Sequence, residues 1–146
     1  MADTFRLQTL LDYRDLRERQ AKQELAAALQ QQEAVLVEIH RMRAELDCLC
    51  RDFVRRQAEG LPACEIELFQ ASIQLRQNQL AAMENELQQK KATVNKARTR
   101  LLQLSKEKKS VERLRERHLL EEQQRLKRRE NAILDEIALR KLGGMP

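Results

Sequence analysis

Apolar residues recur along this chain at alternating spacings of three and four, the pattern of a helix that packs lengthwise against another helix. Between Leu25 and Phe53 these positions are almost entirely apolar. Such spacing keeps side chains on one stripe only when the helix supercoils against a neighbour. The stripe, called here the first seam, comprises Thr4, Leu7, Leu11, Arg14, Glu18, Ala21, Leu25, Ala28, Gln32, Val35, Ile39, Met42, Leu46, Leu49 and Phe53.

A second seam with the same spacing follows. It comprises Ile66, Phe69, Ile73, Arg76, Leu80, Met83, Leu87, Lys90, Val94, Ala97, Leu101, Leu104, Lys108 and Val111. Further on, the apolar positions Leu119, Leu126, Ile133 and Ile137 lie one residue out of this register. The step from Val111 through Arg115 to Leu119 therefore predicts a four-residue stutter that relaxes the supercoil.

The start of the first seam is less apolar, since Arg14 and Glu18 interrupt it. We expect the helix to pack more loosely there, or against something else. Phe5, Leu10 and Leu16 add apolar surface beside the seam. A stripe widened in this way indicates more than one neighbour.

One break separates the two seams, at Gly60-Leu61-Pro62. Glycine weakens a helix and proline cannot continue one, so this stretch predicts a turn. Asp3 or Thr4 can cap the first helix. We predict a single coiled-coil domain, residues 1–146, with a helix over 3–58, a turn over 59–63, a helix over 64–142 and a tail over 143–146.

The predicted fold is all-α, an antiparallel two-helix coiled-coil hairpin with the second helix longer. Folding about Leu61 makes the numbers of facing residues add up to about 122. Residues 121–142 then extend beyond the first helix with exposed apolar positions, which indicates a partner. A parallel homodimer is the structural alternative; a short turn favours the hairpin.

The composition of the chain argues against several classes of function. Aromatic residues are 3% and charged residues 35% of the chain, a mixture typical of coiled coils rather than compact cores. We therefore expect no enclosed pocket, no bound small molecule and no enzyme activity. The net charge is +5, and residues 96–130 carry 13 Lys or Arg against 6 Asp or Glu. This stretch is either a solvated face or a surface for an acidic protein; nucleic acid is less favoured because no aromatic residues are interleaved for base stacking.

Candidate chemistry is sparse. Cys48, Cys50 and Cys64 follow no zinc or redox spacing and are expected to be reduced thiols. Neither His40 nor His118 has a metal-ligand neighbour one turn away, and no phosphate-binding loop is present. We expect no metal and no cofactor. No apolar run approaches the length of a membrane span, so we expect a soluble, cytoplasmic protein.

Four stretches, read in order, resemble a known family. They are FRLQTLL at residues 5–11, the Gly60 break with residues 66–80, EKKSVERLRER at residues 107–117 and LDEIA at residues 134–138. With the length and order of the whole chain, they resemble the FliJ family of flagellar type III export proteins, to which the injectisome stalk proteins are related.

The resemblance implies a hairpin similar to the gamma stalk of rotary ATPases, at the cytoplasmic face of the inner membrane in the flagellar basal body. It implies a non-enzymatic protein that binds the hexameric export ATPase, promotes its assembly and activity, and links it to the cytoplasmic domain of the export gate. Export chaperones and the ATPase regulator are further implied partners, and membrane association would be peripheral, through partners only. The alternative is a free-standing coiled-coil scaffold or a nucleic-acid-binding arm.

Two groups of residues are candidates for these contacts. The candidates for the ATPase ring lie toward the chain ends: Leu7, Leu11, Lys108, Arg113, Arg115, Arg117, Leu126, Arg129, Ile133, Asp135 and Ile137. The candidates for the export gate lie in the first turns after the break: Phe69, Ser72, Ile73, Arg76 and Gln79.

Overall fold

The structure, a computed structural model, describes the backbone of residues 2–144 and the side chains of residues 6–144. Helix α1 spans Ala2–Glu59 and helix α2 spans Ala63–Gly143. The helices pack against each other within the chain, and α2 is the longer, with 81 residues against 58 in α1. The predicted all-α helical hairpin is confirmed.

The turn between the helices uses the residues that the sequence singles out. Gly60 adopts a φ of 96°, in the left-handed region that favours glycine after the end of a helix. Its amide donates to the carbonyl oxygen of Gln57 at 3.2 Å, and the carbonyl oxygen of Pro62 accepts from the amides of Glu65 and Ile66. Gly60 therefore follows the last residue of α1, and Pro62 directly precedes the first residue of α2.

The ends of the chain differ slightly from expectation. The backbone is already helical at Ala2, and the side chains of Asp3 and Thr4 lie outside those described, so the predicted cap is too. At the other end α2 stops at Gly143, where the amide of Gly144 donates to the carbonyl oxygen of Arg140 at 3.0 Å. The predicted tail residues Met145 and Pro146 lie outside the described residues.

The chain divides into two compact units, and each helix contributes to both. The turn unit is Ala21–Leu101, and the terminal unit combines the chain up to Gln20 with the chain from Leu102 onward.

The turn unit has the apolar seam that the spacing predicts. Its buried side chains come from both helices: Ala21, Ala28, Val35, Ile39 and Val94. Near the turn, the ring centroids of Phe53 and Phe69 lie 5.3 Å apart, and the numbers of these residues add up to 122. The predicted register therefore holds in this unit.

Two polar interruptions of the second seam in the turn unit find partners on α1. Nη1 of Arg76 lies 3.2 Å from Oε2 of Glu45, and Nζ of Lys90 donates to Oε1 of Gln31 at 3.4 Å. The flexible side chains reach from the seam to its polar edge, so the seam tolerates them.

The terminal unit has a more polar seam. Leu104 and Val111 are buried, but so is Glu18, and Arg115, His118 and Glu122 are half-buried. The last three continue the spacing of Val111 without interruption, whereas Leu119 is exposed. The predicted stutter is wrong. The seam keeps its register through the polar residues Arg115, His118 and Glu122, and the apolar Leu119 lies outside the seam.

Candidate partner-binding surfaces

Five charged residues form a cluster between the helices of the terminal unit. Nη1 of Arg14 lies 2.6 Å from Oε2 of Glu107, and Nζ of Lys108 lies 2.9 Å from Oδ1 of Asp15 and 3.6 Å from Oε1 of Glu18. Glu18 is only 8% exposed. The two positions expected to loosen the first seam are instead held by charges of opposite sign on α2. We call Arg14, Asp15, Glu18, Glu107 and Lys108 the charged cluster.

The electrostatics of the cluster explain how a cation is tolerated in the seam. The hydrogen bond to Asp15 raises the pKa of Lys108, and the charges of Glu18, Asp15 and Glu112 act in the same direction. Lys108, a predicted partner-binding residue, therefore already has three carboxylates within its own chain. A role in partner binding would compete with these contacts.

Two arginines of the terminal unit retain unsatisfied polar atoms. Among the described side chains, Nε of Arg14 and Nε of Arg115 are the buried nitrogen or oxygen atoms without a hydrogen-bond partner. Arg14 is compensated by Glu107, whereas no ion pair involves Arg115 among residues 6–144. The buried Nε of Arg115 lies out of reach of a partner protein, so the cost of leaving it without an acceptor falls on the packing of the terminal unit.

The other candidates for the ATPase ring fall into two classes. Leu7 and Leu11 are half-buried on the first seam and so contribute mainly to the packing of the terminal unit. Arg113 and Arg117 are exposed. The remaining candidates lie on the C-terminal segment, residues 121–142, and all of them are exposed: Leu126, Arg129, Ile133, Asp135 and Ile137.

The C-terminal segment carries an apolar face that nothing in the described chain covers. Leu126, Ile133 and Ile137 are 48%, 50% and 47% exposed. Their spacings of seven and four place them on one side of α2. Leu139, which is also exposed, points to a different side because it follows Ile137 by only two residues.

The candidates for the export gate are divided by the fold. Phe69 packs against Phe53, Arg76 pairs with Glu45, and Ile73 is half-buried, so these three belong to the second seam. Ser72 and Gln79 are exposed. The five residues therefore do not form one surface. The repeat along the chain places Phe69, Ile73 and Arg76 on the second seam, and Ser72 and Gln79 outside it.

Two leucines that sequence reasoning missed share a face with Ser72 and Gln79. Leu68 is 68% exposed and Leu75 is 58% exposed. The spacing Leu68, Ser72, Leu75, Gln79 follows steps of four, three and four, which places the four on one outward stripe of α2. The signal was present in the sequence, as a second repeat one residue before the seam.

Reactive groups do not assemble into a site. Cys48 and Cys64 are exposed and Cys50 is half-buried, and all three thiols are free. No group of three or more His, Cys, Asp or Glu residues within residues 2–144 has the arrangement of a metal site. None of the described helical residues form a stretch long and apolar enough to cross a membrane.

The fold thus places the chain among the all-α helical hairpin proteins, with long exposed surfaces on both units. The family described as flagellar FliJ protein matches residues 3–144. The chain belongs to the FliJ family, as the four sequence stretches indicated, and is a flagellar protein connected with export. No curated protein and no solved structure gives a significant match.

Proposed function

We propose that this chain is a non-enzymatic stalk of the flagellar type III export apparatus. It binds the hexameric export ATPase, promotes its assembly and activity, and links it to the cytoplasmic domain of the export gate. Export chaperones and the ATPase regulator are further partners. The protein works at the cytoplasmic face of the inner membrane, in the basal body, and reaches the membrane only through these partners.

The observation that carries the proposal is the bare apolar face of the C-terminal segment. Helix α2 is 23 residues longer than α1, and Leu126, Ile133 and Ile137 remain about half exposed on it. An amphipathic helix with such a face binds in an apolar groove of another protein. The inner wall of an ATPase ring is the occupant that family membership supports.

The basic residues of the terminal unit also support ATPase binding at this end of the hairpin. Carboxylates on the ATPase would pair with the exposed guanidinium groups of Arg113 and Arg117. Arg129, also exposed, extends the basic character onto the C-terminal segment.

The export-gate contact is proposed for the outward stripe of the turn unit, made of Leu68, Ser72, Leu75 and Gln79. Two leucines more than half exposed offer a partner apolar area, and the two polar side chains offer hydrogen bonds. Phe69, Ile73 and Arg76 support the stripe from the seam.

The stalk acts by binding one state of the ATPase more tightly than another. A ligand shifts an equilibrium only by the difference in its affinity for the two states, and about 1.4 kcal/mol is a factor of ten. Burial of a single isoleucine side chain contributes about 1.5–3 kcal/mol. Ile133 and Ile137 are buried only against the closed, assembled ring, so they would increase the affinity for that state over the open state by more than tenfold.

The proposal is tested by measuring hydrolysis and hexamer formation of the purified export ATPase with added protein. We expect stimulation by the full chain and its loss on truncation after Arg125. A finer variant, Ile133→Glu with Ile137→Glu, should lose it as well. Leu139→Glu is the matched control, since it places the same charge on a different side of the same segment and should still stimulate.

Three outcomes count against the proposal. Unchanged hydrolysis with no gain in hexamer would reject the stalk, and equal loss of activity in the Leu139→Glu control would reject the apolar face as the cause. Binding to DNA or RNA whose affinity falls by several log units per log unit of salt would instead favour the nucleic-acid arm.

A further inference from the structure

A second apolar patch lies on the terminal unit, on the edge of its seam. Leu10, Tyr13 and Leu114 are 38%, 49% and 43% exposed. Leu114 follows Glu107 by seven residues, and Leu10 precedes Arg14 by four, so both leucines lie on the side where Arg14 and Glu107 meet. Tyr13 is one turn beyond Leu10 on the same face. We call Leu10, Tyr13 and Leu114 the edge patch.

The edge patch occupies positions that the same hairpin elsewhere gives to charges. Fourteen residues after Leu10 is Glu24, and fourteen before Leu114 is Arg100, which are paired at 3.0 Å in the turn unit. Edge positions of a two-helix coiled coil are ordinarily charged in this way. Leucine at both positions makes the apolar stripe wider than a two-helix coiled coil needs. A stripe of this width is typical of helices in a bundle, which pack against two neighbours.

The surroundings of the edge patch are basic. The guanidinium of Arg17 lies over the ring of Tyr13, 5.9 Å from its centroid, and Arg6 and Arg117 are exposed nearby along the helices. None of these three arginines forms an ion pair with another described side chain, residues 6–144. Two carboxylates lie on the same side of α2. Glu107 is already paired with Arg14, and Glu121 lies two helical turns beyond Leu114.

We propose that the edge patch binds a third helix, an acidic amphipathic helix of a partner protein. Its apolar side chains would cover Leu10, Tyr13 and Leu114, and its Asp and Glu residues would pair with Arg6, Arg17 and Arg117. A second copy of this chain is a poorer occupant, because a symmetric contact would bring the same arginines face to face. The site is separate from the apolar face of the C-terminal segment and shares one residue, Arg117, with the proposed ATPase contact; the test below measures it without the ATPase.

The test measures binding of a labelled helical peptide to the full chain by fluorescence anisotropy. The peptide has leucine at spacings of three and four and glutamate at its other surface positions, and a matched peptide has lysine in place of glutamate. We expect the acidic peptide alone to bind. Leu10→Glu with Leu114→Glu should weaken it by about tenfold or more. Val37→Glu with Val54→Glu, the control at exposed apolar positions of the turn unit, should not.

A second variant keeps the test independent of folding. Arg17→Ala with Arg117→Ala leaves the leucines in place, and we expect it to weaken the acidic peptide while helicity measured by circular dichroism stays unchanged. Equal affinity for the acidic and basic peptides would overturn the proposal. So would sedimentation showing a dimer that Leu10→Glu with Leu114→Glu converts to a monomer, because the occupant would then be a second copy.

Discussion

Replacing Lys108 by methionine is the sharpest probe of the charged cluster. The change leaves Asp15 and the buried Glu18 without the ammonium that lies 2.9 and 3.6 Å from them, while the methionine side chain keeps most of the volume of the lysine. Removing one partner of a fully buried pair costs about 3–5 kcal/mol. Lys108 and Asp15 are 22% and 32% exposed, so water screens part of this loss, and we expect about 1–3 kcal/mol.

The companion variant separates the cost of removing the ammonium from the net contribution of the Glu18–Lys108 pair to stability; Asp15 keeps its ion pair with Arg19 at 2.9 Å in both variants. Glu18→Leu with Lys108→Leu gives the seam two apolar residues, and such replacement of a buried pair is often neutral or stabilising by about 1–4 kcal/mol. We therefore expect the double variant to recover the stability that Lys108→Met loses. The measurement is urea unfolding followed by circular dichroism at 222 nm, analysed as a double-mutant cycle with the single variants.

Lys109→Met serves as the control, because Lys109 is exposed beside Lys108 and its loss should change the unfolding free energy by less than about 0.5 kcal/mol. The reasoning is refuted if Lys108→Met is as mild as this control. It is equally refuted if the double leucine variant is less stable than Lys108→Met, since the cluster would then stabilise the hairpin beyond what apolar packing can replace.

Three further outcomes are expected. Gly60→Ala should destabilise the hairpin by about 1–2 kcal/mol in the same unfolding assay, because φ is 96° there and no atom lies within 4 Å of an added Cβ, so that backbone strain alone acts. Alanine at Phe53 and Phe69, singly and together, should show a coupling of about 0.5–1.5 kcal/mol from the ring contact at 5.3 Å; additive losses would contradict that contact. The raised pKa of Lys108 means that its contribution is complete below its ordinary value of 10.5 and is lost as the pH rises through the raised value. Wild type should therefore lose stability at alkaline pH relative to Lys108→Met, and parallel pH profiles would exclude this effect.

The sequence by itself determined the helices, the turn and most of the seam. Spacings of three and four can be satisfied only by helices packed lengthwise, and Gly60 with Pro62 left one place to reverse the chain. The register followed from these, since the contact of Phe53 with Phe69 lies where folding about Leu61 puts it. The family resemblance also came from the sequence, because it rests on ordered motifs rather than on contacts.

The outward surface of the turn unit follows from the same repeat, shifted by one residue. Phe69, Ile73 and Arg76 were assigned to the export gate although they occupy seam positions, and the repeat one residue earlier contains Leu68 and Leu75. The binding role of all these residues stays a prediction. Position on a helix is a local property, so the sequence alone separates the seam residues from the outward stripe.

Only the tertiary structure decided how the terminal unit tolerates its polar seam. From the sequence of α1 alone, Arg14 and Glu18 are expected to weaken the seam. Whether a charge in the seam destabilises the packing depends on the charges that the other helix places within a few ångströms of it. Glu107 and Lys108 supply the opposite charges, and the seam continues in register through Arg115. Helical periodicity is local and can be read along the chain, whereas compensation of charge depends on pairs of residues more than ninety positions apart.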